Sequence, residues 1–134
     1  MWRTQFRAVR SFRDLGRGHA CALALFGGEP TVKVTGTGLG GRNQHLVLLA
    51  TQLLESNPNL TFLSGGTDGS DGPTNAAGAV CDMDTVETAA KFKLDIKQYI
   101  TDFNSYNFFL QEGGLITTGP TQTNVMDLIV VLRN

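Results

Sequence analysis

The sequence is poor in the features that define several protein classes. Its two cysteines, Cys21 and Cys81, are too few for a disulfide scaffold, and we expect buried, reduced thiols of a cytoplasmic protein. No apolar run approaches the roughly 20 residues of a membrane span. The formal net charge of −1 gives no bulk field that would draw the chain onto nucleic acid or an anionic membrane. We therefore expect neither a nucleic-acid nor a membrane partner.

Histidine is equally sparse. His19 and His45 are isolated from one another, and no CxxC pair accompanies them. Zinc sites in proteins are built from clustered cysteine and histidine ligands, so the sequence predicts no zinc site. Both histidines are expected to be polar surface residues.

Glycine, by contrast, is abundant. It accounts for 16 of the 134 residues, against a usual share of about 7%. Most of the glycines lie in three stretches, at 27–41, 65–78 and 113–119. The apolar fraction of 41% is high enough for a folded core. The sequence thus alternates regular segments with glycine-rich loops, as in proteins whose sites are built from loops at the ends of rigid elements.

The start of the chain has a character of its own. Residues 1–18 contain five arginines and one acid, and their apolar residues Trp2, Phe6, Val9 and Phe12 recur at helical spacing. This spacing predicts an amphipathic basic helix over residues 1–20. Three interpretations stay open: a mitochondrial transit peptide, a helix on a membrane surface, and an ordinary helix packed on this domain or on an absent neighbour.

Residues 21–134 are predicted to form one α/β domain. The hydrophobic patterns alternate between strands and helices, which favours a three-layer α/β/α domain with a mixed, mostly parallel sheet of about six strands. The predicted strands are 21–26 and 31–35, paired as a hairpin, then 60–63, 115–118 and 128–132, with 76–81 ambiguous. The predicted helices are 44–54, 85–92 with Asp84 as N-cap, 95–103 and 105–111.

The first glycine loop, Gly36–Asn43, lies between a predicted strand and a predicted helix. Its glycines satisfy GxGxxG, but the acid that a dinucleotide site needs about 20 residues later is missing. It also approaches the P-loop pattern, with Arg42 in place of the lysine. Either way, a helix N-terminus beside an arginine favours a phosphate or a carboxylate. The alternative is a tight turn with a surface arginine.

The second loop, Ser64–Thr74, places Asp68 and Asp71 among glycines and hydroxyl groups. An EF-hand is excluded because the twelfth position from Asp68 is Ala79 rather than glutamate. Magnesium binding through either carboxylate and the orientation of a hydroxyl nucleophile are both open, as is a turn that satisfies its own backbone. The third loop, Thr118–Asn124, is rich in hydroxyl and amide groups. We expect the three loops to converge at one edge of the sheet.

Four motifs in series carry a resemblance to a known family. They are Gly27–Val32, Gly40–Gln44, Ser64–Thr74 and Thr118–Asp127. Together they resemble the MOFRL domain, the C-terminal domain of two-domain glycerate kinases, which is also associated with hydroxypyruvate and tartrate degradation. The resemblance covers about residues 21–134 and implies a three-layer α/β/α fold. Residues 1–20 would then be the helix that enters from a missing N-terminal kinase domain.

The resemblance also implies an activity and a set of site residues. The family transfers phosphate from ATP, with a divalent cation such as Mg²⁺, to D-glycerate, and most members give 2-phosphoglycerate at a site between the two domains. Arg42 and Asp68 are the implied catalytic residues. The implied substrate- or phosphate-binding residues are Gly40, Gly41, Asn43, Gln44, Gly65, Gly66, Thr67, Asp71, Thr121, Thr123 and Asn124. No metal ligand is assigned.

The sequence departs from the family pattern at four positions. His45 stands where the family has glutamate, Asn75 is a neutral choice before Ala-Ala-Gly-Ala, and Phe103 occupies a position that is usually polar. Gln122 replaces a usual glycine, so the loop there is predicted to avoid positive φ.

Three functions follow as hypotheses. The chain is the C-terminal domain of a glycerate kinase, inactive as an isolated fragment; or it binds a small anionic metabolite without catalysis; or it docks on a partner through its basic N-terminal helix. The expected location is the cytoplasm, with mitochondria as the alternative.

Overall fold

The computed structural model describes residues 7–13 and 22–134. These residues form six strands and four helices. The strands are β1 (Arg7–Arg13), β2 (Ala22–Gly28), β3 (Leu60–Gly66), β4 (Gly78–Cys81), β5 (Leu115–Ile116) and β6 (Asp127–Arg133). The helices are α1 (Arg42–Ala50), followed by a 3₁₀ turn (Thr51–Leu53), α2 (Met83–Lys91), α3 (Ile96–Thr101) and α4 (Ser105–Glu112).

The strands form one sheet in the order β1-β2-β6-β3-β4-β5, and each neighbouring pair is antiparallel. The α/β class and the number of strands agree with the prediction, whereas the mostly parallel sheet was wrong. The physical reason lies in β6. Strands β2 and β3 are joined through α1 and run in the same direction, but β6 inserts between them and pairs antiparallel with both.

The helices pack on one face of this sheet. Helix α1 lies on β3 and β4, and the other helices contact α1 or one another. Their shared core is centred on Val47, Leu48, Phe108 and Phe109, all fully buried. The described residues therefore form two layers, and they do not include the second helical layer of the predicted α/β/α arrangement. The opposite sheet face is apolar and partly exposed, with Leu128 at 40%.

Two predicted local structures at the start of the chain were wrong. Residues 7–13 form a strand paired with β2, and not a helix. The remainder of the predicted helix, and Cys21, lie outside the described residues. Residues 31–35 do not form a hairpin with β2, because both edges of β2 are already occupied by β1 and β6.

Two further local predictions concern Cys81 and the second helix. Cys81 is buried and free, as predicted, and burial raises the pKa of its thiol to about 12. Helix α2 begins two residues earlier than predicted, at Met83 rather than Thr85. The predicted N-cap, Asp84, was wrong, because Asp82 is the N-cap and forms a capping box with Thr85. Within the described part of the chain, no helix is long and apolar enough to cross a membrane.

Candidate functional site

An open pocket of about 500 Å³ lies where β2 and β3 end and β6 begins. The three glycine-rich loops of the sequence contribute to this end of the sheet, so the prediction that they converge is confirmed. The pocket is lined by Glu29, Val32, Val34, Gly40, Gly41, Arg42, Asp68, Ser70, Asp71, Gly72, Pro73, Phe103 and Asn124.

Arg42, the first residue of α1, is held between two carboxylates. Its Nε donates to Asp127 Oδ2 at 2.6 Å and its Nη2 donates to Asp127 Oδ1 at 3.1 Å. Its Nη1 donates to Glu29 Oε1 at 3.0 Å. The hydrogen bond with Asp127 raises the pKa of Arg42, although burial opposes this effect. The guanidinium is therefore permanently charged and fixed in orientation.

The sheet fixes the position of Asp127, the main partner of this guanidinium. Asp127 begins β6 and pairs with Gly28 on one side and Gly66 on the other. Paired residues share a face of the sheet, so Asp127 is flanked there by two residues without side chains. A Cβ at Gly66 would lie 2.5 Å from the Ser70 carbonyl oxygen and 3.1 Å from Asp68 Oδ1, whereas its distance of 3.5 Å from Asp127 Oδ1 would be an ordinary contact. Gly66 is therefore required for the close approach of the second loop, beside the aspartate that binds the guanidinium.

Asp71 from the second loop caps helix α1. Its Oδ1 accepts from the backbone N–H of Asn43 at 3.0 Å, and its Oδ2 accepts from the backbone N–H of Gln44 at 2.8 Å. The side-chain amide of Asn43 adds a third bond at 3.2 Å. Burial raises the pKa of Asp71, and these hydrogen bonds oppose the rise. The N-terminus of α1, predicted to favour a bound anion, is thus satisfied by a carboxylate of the chain itself.

The glycines of the first loop serve close packing. Gly38 N–H donates to the Asp102 carbonyl at 2.8 Å, and side chains at Gly36 or Gly38 would overlap the backbone of the α3–α4 junction. A side chain at Gly41 would overlap Asp71. These contacts account for the GxGxxG spacing through packing between loops and helices. Neither the dinucleotide fingerprint nor a P-loop is needed to explain it.

Asp68 is the more accessible of the two acids in the second loop. Its Oδ1 accepts from the backbone N–H of Ser70 at 3.0 Å and from the Ser70 hydroxyl at 3.1 Å. These bonds lower the pKa of Asp68, and the charge of Arg42 adds to the effect. Asp68 is therefore an ionised acceptor that faces the pocket.

Threonines join the second and third loops. Thr67 Oγ1 donates to the Met126 carbonyl at 2.7 Å and accepts from the Val125 N–H at 2.9 Å. Thr121 Oγ1 donates to the Thr67 carbonyl. The hydroxyl groups of Thr67 and Thr121 are thus engaged within the protein, and their visible role is to hold the pocket wall together.

The structure separates the predicted site residues into two groups. Those that line the pocket are Gly40, Gly41, Arg42, Asp68, Asp71 and Asn124. Those that lie behind or beside it are Asn43, Gln44, Gly65, Gly66, Thr67, Thr121 and Thr123. The side chains of Asn43 and Gln44 are fully buried, where they bond to Ser64, Asp71 and Thr74.

Glu29 and Asp127 were not predicted as site residues. The available signal was an acid at the margin of an apolar strand: Glu29 follows β2 and Asp127 opens β6. For Gln122 the prediction of negative φ was wrong, because the structure has φ of 60° there. Phe103 also has positive φ, at 58°, and lines the pocket.

His45, predicted at the surface, is 4% exposed within α1. Its ring stacks on Phe103 with centroids 3.6 Å apart. Burial lowers the pKa of His45 to about 4, so the folded protein holds the imidazole neutral. Among the described residues no group of three or more histidine, cysteine or acidic side chains could hold a metal ion.

We expect His45 to make stability depend on pH. The imidazole has a pKa of about 6.5 in the unfolded chain and about 4 in the folded protein. Because the folded protein holds the neutral form, the contribution of His45 to stability is complete above pH 6.5 and is lost as the pH falls towards 4. Between pH 7 and pH 5 the loss is about 2 kcal/mol. Urea unfolding of the parent protein and of His45→Gln at both pH values separates the contribution of His45 from that of the carboxylates. The same pH dependence in the variant would contradict the assignment.

Comparison with known proteins identifies the family. The MOFRL family model matches residues 22–127, and the chain belongs to that family. It is 48% identical over 111 residues to a D-glycerate 2-kinase of Thermotoga maritima and 50% identical over 119 residues to a glycerate kinase of Homo sapiens. These alignments cover 83% and 84% of this chain.

Solved structures show the same similarity. A crystal structure of a Thermotoga maritima glycerate kinase superposes with a TM-score of 0.79 at 46% identity, covering 84% of this chain and 27% of that one. A Pyrococcus horikoshii protein superposes with a TM-score of 0.78 at 36% identity, covering 84% of this chain and 26% of its own. The chain spans only 27% of the Thermotoga relative and 22% of the human relative.

Proposed function

We propose that this chain supplies one wall of the active site of a glycerate kinase and that its pocket holds D-glycerate during phosphate transfer from ATP. The observation that carries the proposal is the polar composition of the pocket. One fixed guanidinium, that of Arg42, stands among acceptors such as Asp68 and Asn124. A hydroxy acid carries one carboxylate, which needs a cation, and hydroxyl groups, which need acceptors.

In this proposal Arg42 binds the glycerate carboxylate and Asp68 accepts from a glycerate hydroxyl. Asp68 is suited to that role because it is ionised, lines the pocket and is held by Ser70. Asn124 offers a further polar side chain at the rim. Gly40 and Gly41 shape the wall beside Arg42, while the buried Asn43, Gln44 and Asp71 hold the start of α1 in place. The threonines keep the second and third loops joined.

The described residues do not by themselves fit the triphosphate of ATP. The pocket contains three carboxylates, of Glu29, Asp68 and Asp71, and a single cation. Phosphoryl transfer requires positive charge around the phosphates. For Mg²⁺, Asp68 is a ligand of the right type, but the other accessible carboxylate, that of Glu29, is paired with Arg42, so the described residues form an incomplete site. The proposal therefore places the nucleotide phosphates against other parts of a longer kinase, with this domain on the glycerate side.

Apolar residues beside the pocket support a site shared with another domain. Val34 is 63% exposed, Val125 72% and Met126 56%. Exposed apolar residues grouped around a polar pocket are typical of a surface that packs against a partner. The short span of the chain relative to its named relatives agrees with a missing wall.

We expect the isolated chain to show negligible glycerate kinase activity. An absent cleft wall removes both charge neutralisation and alignment, and a misplacement of about 1 Å can already cost about 100-fold in rate. A coupled assay for ADP release, with D-glycerate, ATP and Mg²⁺, measures this, and the control is a full-length relative in the same assay. Turnover by the isolated chain at about 1–100 s⁻¹ would contradict a shared site.

A further inference from the structure

The two carboxylates on Arg42 differ in burial and in geometry. The Asp127 side chain is 3% exposed and makes two bonds, whereas the Glu29 side chain is 61% exposed and makes one. We propose that Asp127 is the positioning residue that fixes the guanidinium, and that Glu29 is an exchangeable acceptor displaced from Nη1 by an incoming carboxylate or phosphate. The inference rests on the proposed function in taking this pocket as an anion site.

Asp127 is placed to hold Arg42 permanently. It lies at the first position of β6, between the last strand residues of β2 and β3, so its backbone is fixed by pairing on both sides. The two-bond contact with Nε and Nη2 matches the planar fork of a guanidinium and restrains its rotation. Since Asp127 is almost inaccessible to solvent, a ligand entering the pocket cannot readily replace it.

Glu29 is positioned so that an incoming anion can displace it from Arg42. It lies between Gly28 and Pro30, which are both buried, so the backbone of this turn is anchored while the glutamate side chain extends into solvent. Exposed ion pairs with a single bond are weak because water competes for both partners. The Glu29 carboxylate can therefore leave Nη1 without disturbing the fold.

The donor count of Arg42 shows what an anion would gain. A guanidinium has five N–H donors. Among the described residues, Asp127 takes two of them and Glu29 takes one. Two donors therefore remain while Glu29 is bound, and its departure raises the number to three, two on Nη1 and one on Nη2, which is enough for a two-point contact with a carboxylate or phosphate. Until then, Glu29 places a negative charge beside these donors, so it disfavours weakly binding anions.

The test is an NMR titration of this chain with D-glycerate and, separately, with inorganic phosphate. The arginine Nε and Nη signals of Arg42 are followed in the parent protein and in Glu29→Gln. The matched control is Glu55→Gln, which removes the same charge from an exposed position beyond the far end of α1. We expect both anions to bind about three- to tenfold more tightly to Glu29→Gln than to the control. The Nη1 signal should move on binding while the Nε signal stays in place.

Several outcomes would overturn the inference. Equal affinities in Glu29→Gln and Glu55→Gln would show that Glu29 does not compete for Arg42. Weaker binding in Glu29→Gln would make Glu29 a direct ligand contact. Movement of the Nε signal equal to that of Nη1 would show that Asp127 does not fix the guanidinium, a result that needs no Asp127 variant.

The proposed function can fail separately. If phosphate binds more tightly to Glu29→Gln but D-glycerate binds to neither protein, the exchange at Arg42 stands and the glycerate assignment falls. If D-glycerate binds the parent protein and Glu29→Gln weakens it, the glycerate assignment stands and the exchange falls. If neither anion binds either protein at Arg42, both fall.

Discussion

Replacing Asp71 by alanine is expected to lower the free energy of unfolding by about 3 kcal/mol. Loss of a helix cap costs about 0.5–2 kcal/mol, and a buried donor left without an acceptor costs about 1–3 kcal/mol. The Asp71 carboxylate prevents both losses, because it accepts from two backbone N–H groups of α1 and from the Asn43 amide. Urea unfolding of the variant and the parent at pH 7 measures the difference.

Asp68→Ala is the matched control. It removes the same charge from the same loop, but the Asp68 side chain is only partly buried and accepts from Ser70 rather than from a helix N-terminus. We expect this variant to lose less than about 1 kcal/mol, because it leaves no buried donor without an acceptor. If the Asp71 and Asp68 variants were equally stable, the cap on α1 would contribute nothing measurable.

Gly41 packs closely against Asp71, so substitutions at these two positions are expected to be energetically coupled. A methyl group at Gly41 would overlap both the Asp71 carboxylate and the Asp71 backbone carbonyl carbon, although the backbone at Gly41 has φ of −114°, which alanine tolerates. Gly41→Ala should therefore be destabilising in the parent and less destabilising, but not neutral, once Asp71 is alanine, because the overlap with the backbone remains. A double-mutant cycle measures this coupling. Strictly additive effects would mean that the glycine is required for another reason.

The secondary structure was predictable where local signals decide it. Apolar patterning and nearby turn residues predicted a helix at 44–54 and strands at 60–63 and 128–132, and the structure has these elements at 42–50, 60–66 and 127–133. The order of the strands in the sheet was not predictable in the same way. The β-α-β alternation correctly predicts that β2 and β3 run in the same direction, but it does not indicate which strand lies between them. Nothing local indicates that the last strand, β6, enters between them. Strand order depends on contacts between residues far apart in sequence.

The site was predictable in part for the same reason. Arg42 beside a double glycine and Asp68 in a polar loop are local patterns, and the structure places both at the pocket. The acceptor that occupies the start of α1 could not be predicted, because Asp71 reaches Asn43 across 28 residues of sequence. A helix N-terminus predicts an anion, but whether that anion is a ligand or a side chain is decided by tertiary structure.

Replacing Arg42 by lysine in an intact kinase that contains this domain is expected to lower kcat/KM for D-glycerate nearly as far as Arg42→Ala. Both variants should lose about 2–4 kcal/mol of transition-state stabilisation, which is roughly 30- to 1,000-fold, by analogy with removing one preorganised donor. Lysine keeps the positive charge but cannot make the two-bond contact with Asp127 that orients the guanidinium. Steady-state kinetics of both variants test whether geometry or charge is required.

Stability has to be separated from catalysis in this comparison, because Arg42→Ala leaves the Asp127 carboxylate buried without its partner. Breaking such a pair can cost about 3–5 kcal/mol, and the double variant Arg42→Ala with Asp127→Asn removes the uncompensated charge. Lysine retains a cation near Asp127, so Arg42→Lys should keep most of the parent's melting temperature. A stable Arg42→Lys enzyme with near-parental kcat/KM would show that charge alone suffices. Parental kinetics in the stabilised alanine variant would remove Arg42 from the site, since no other cation lines the described pocket.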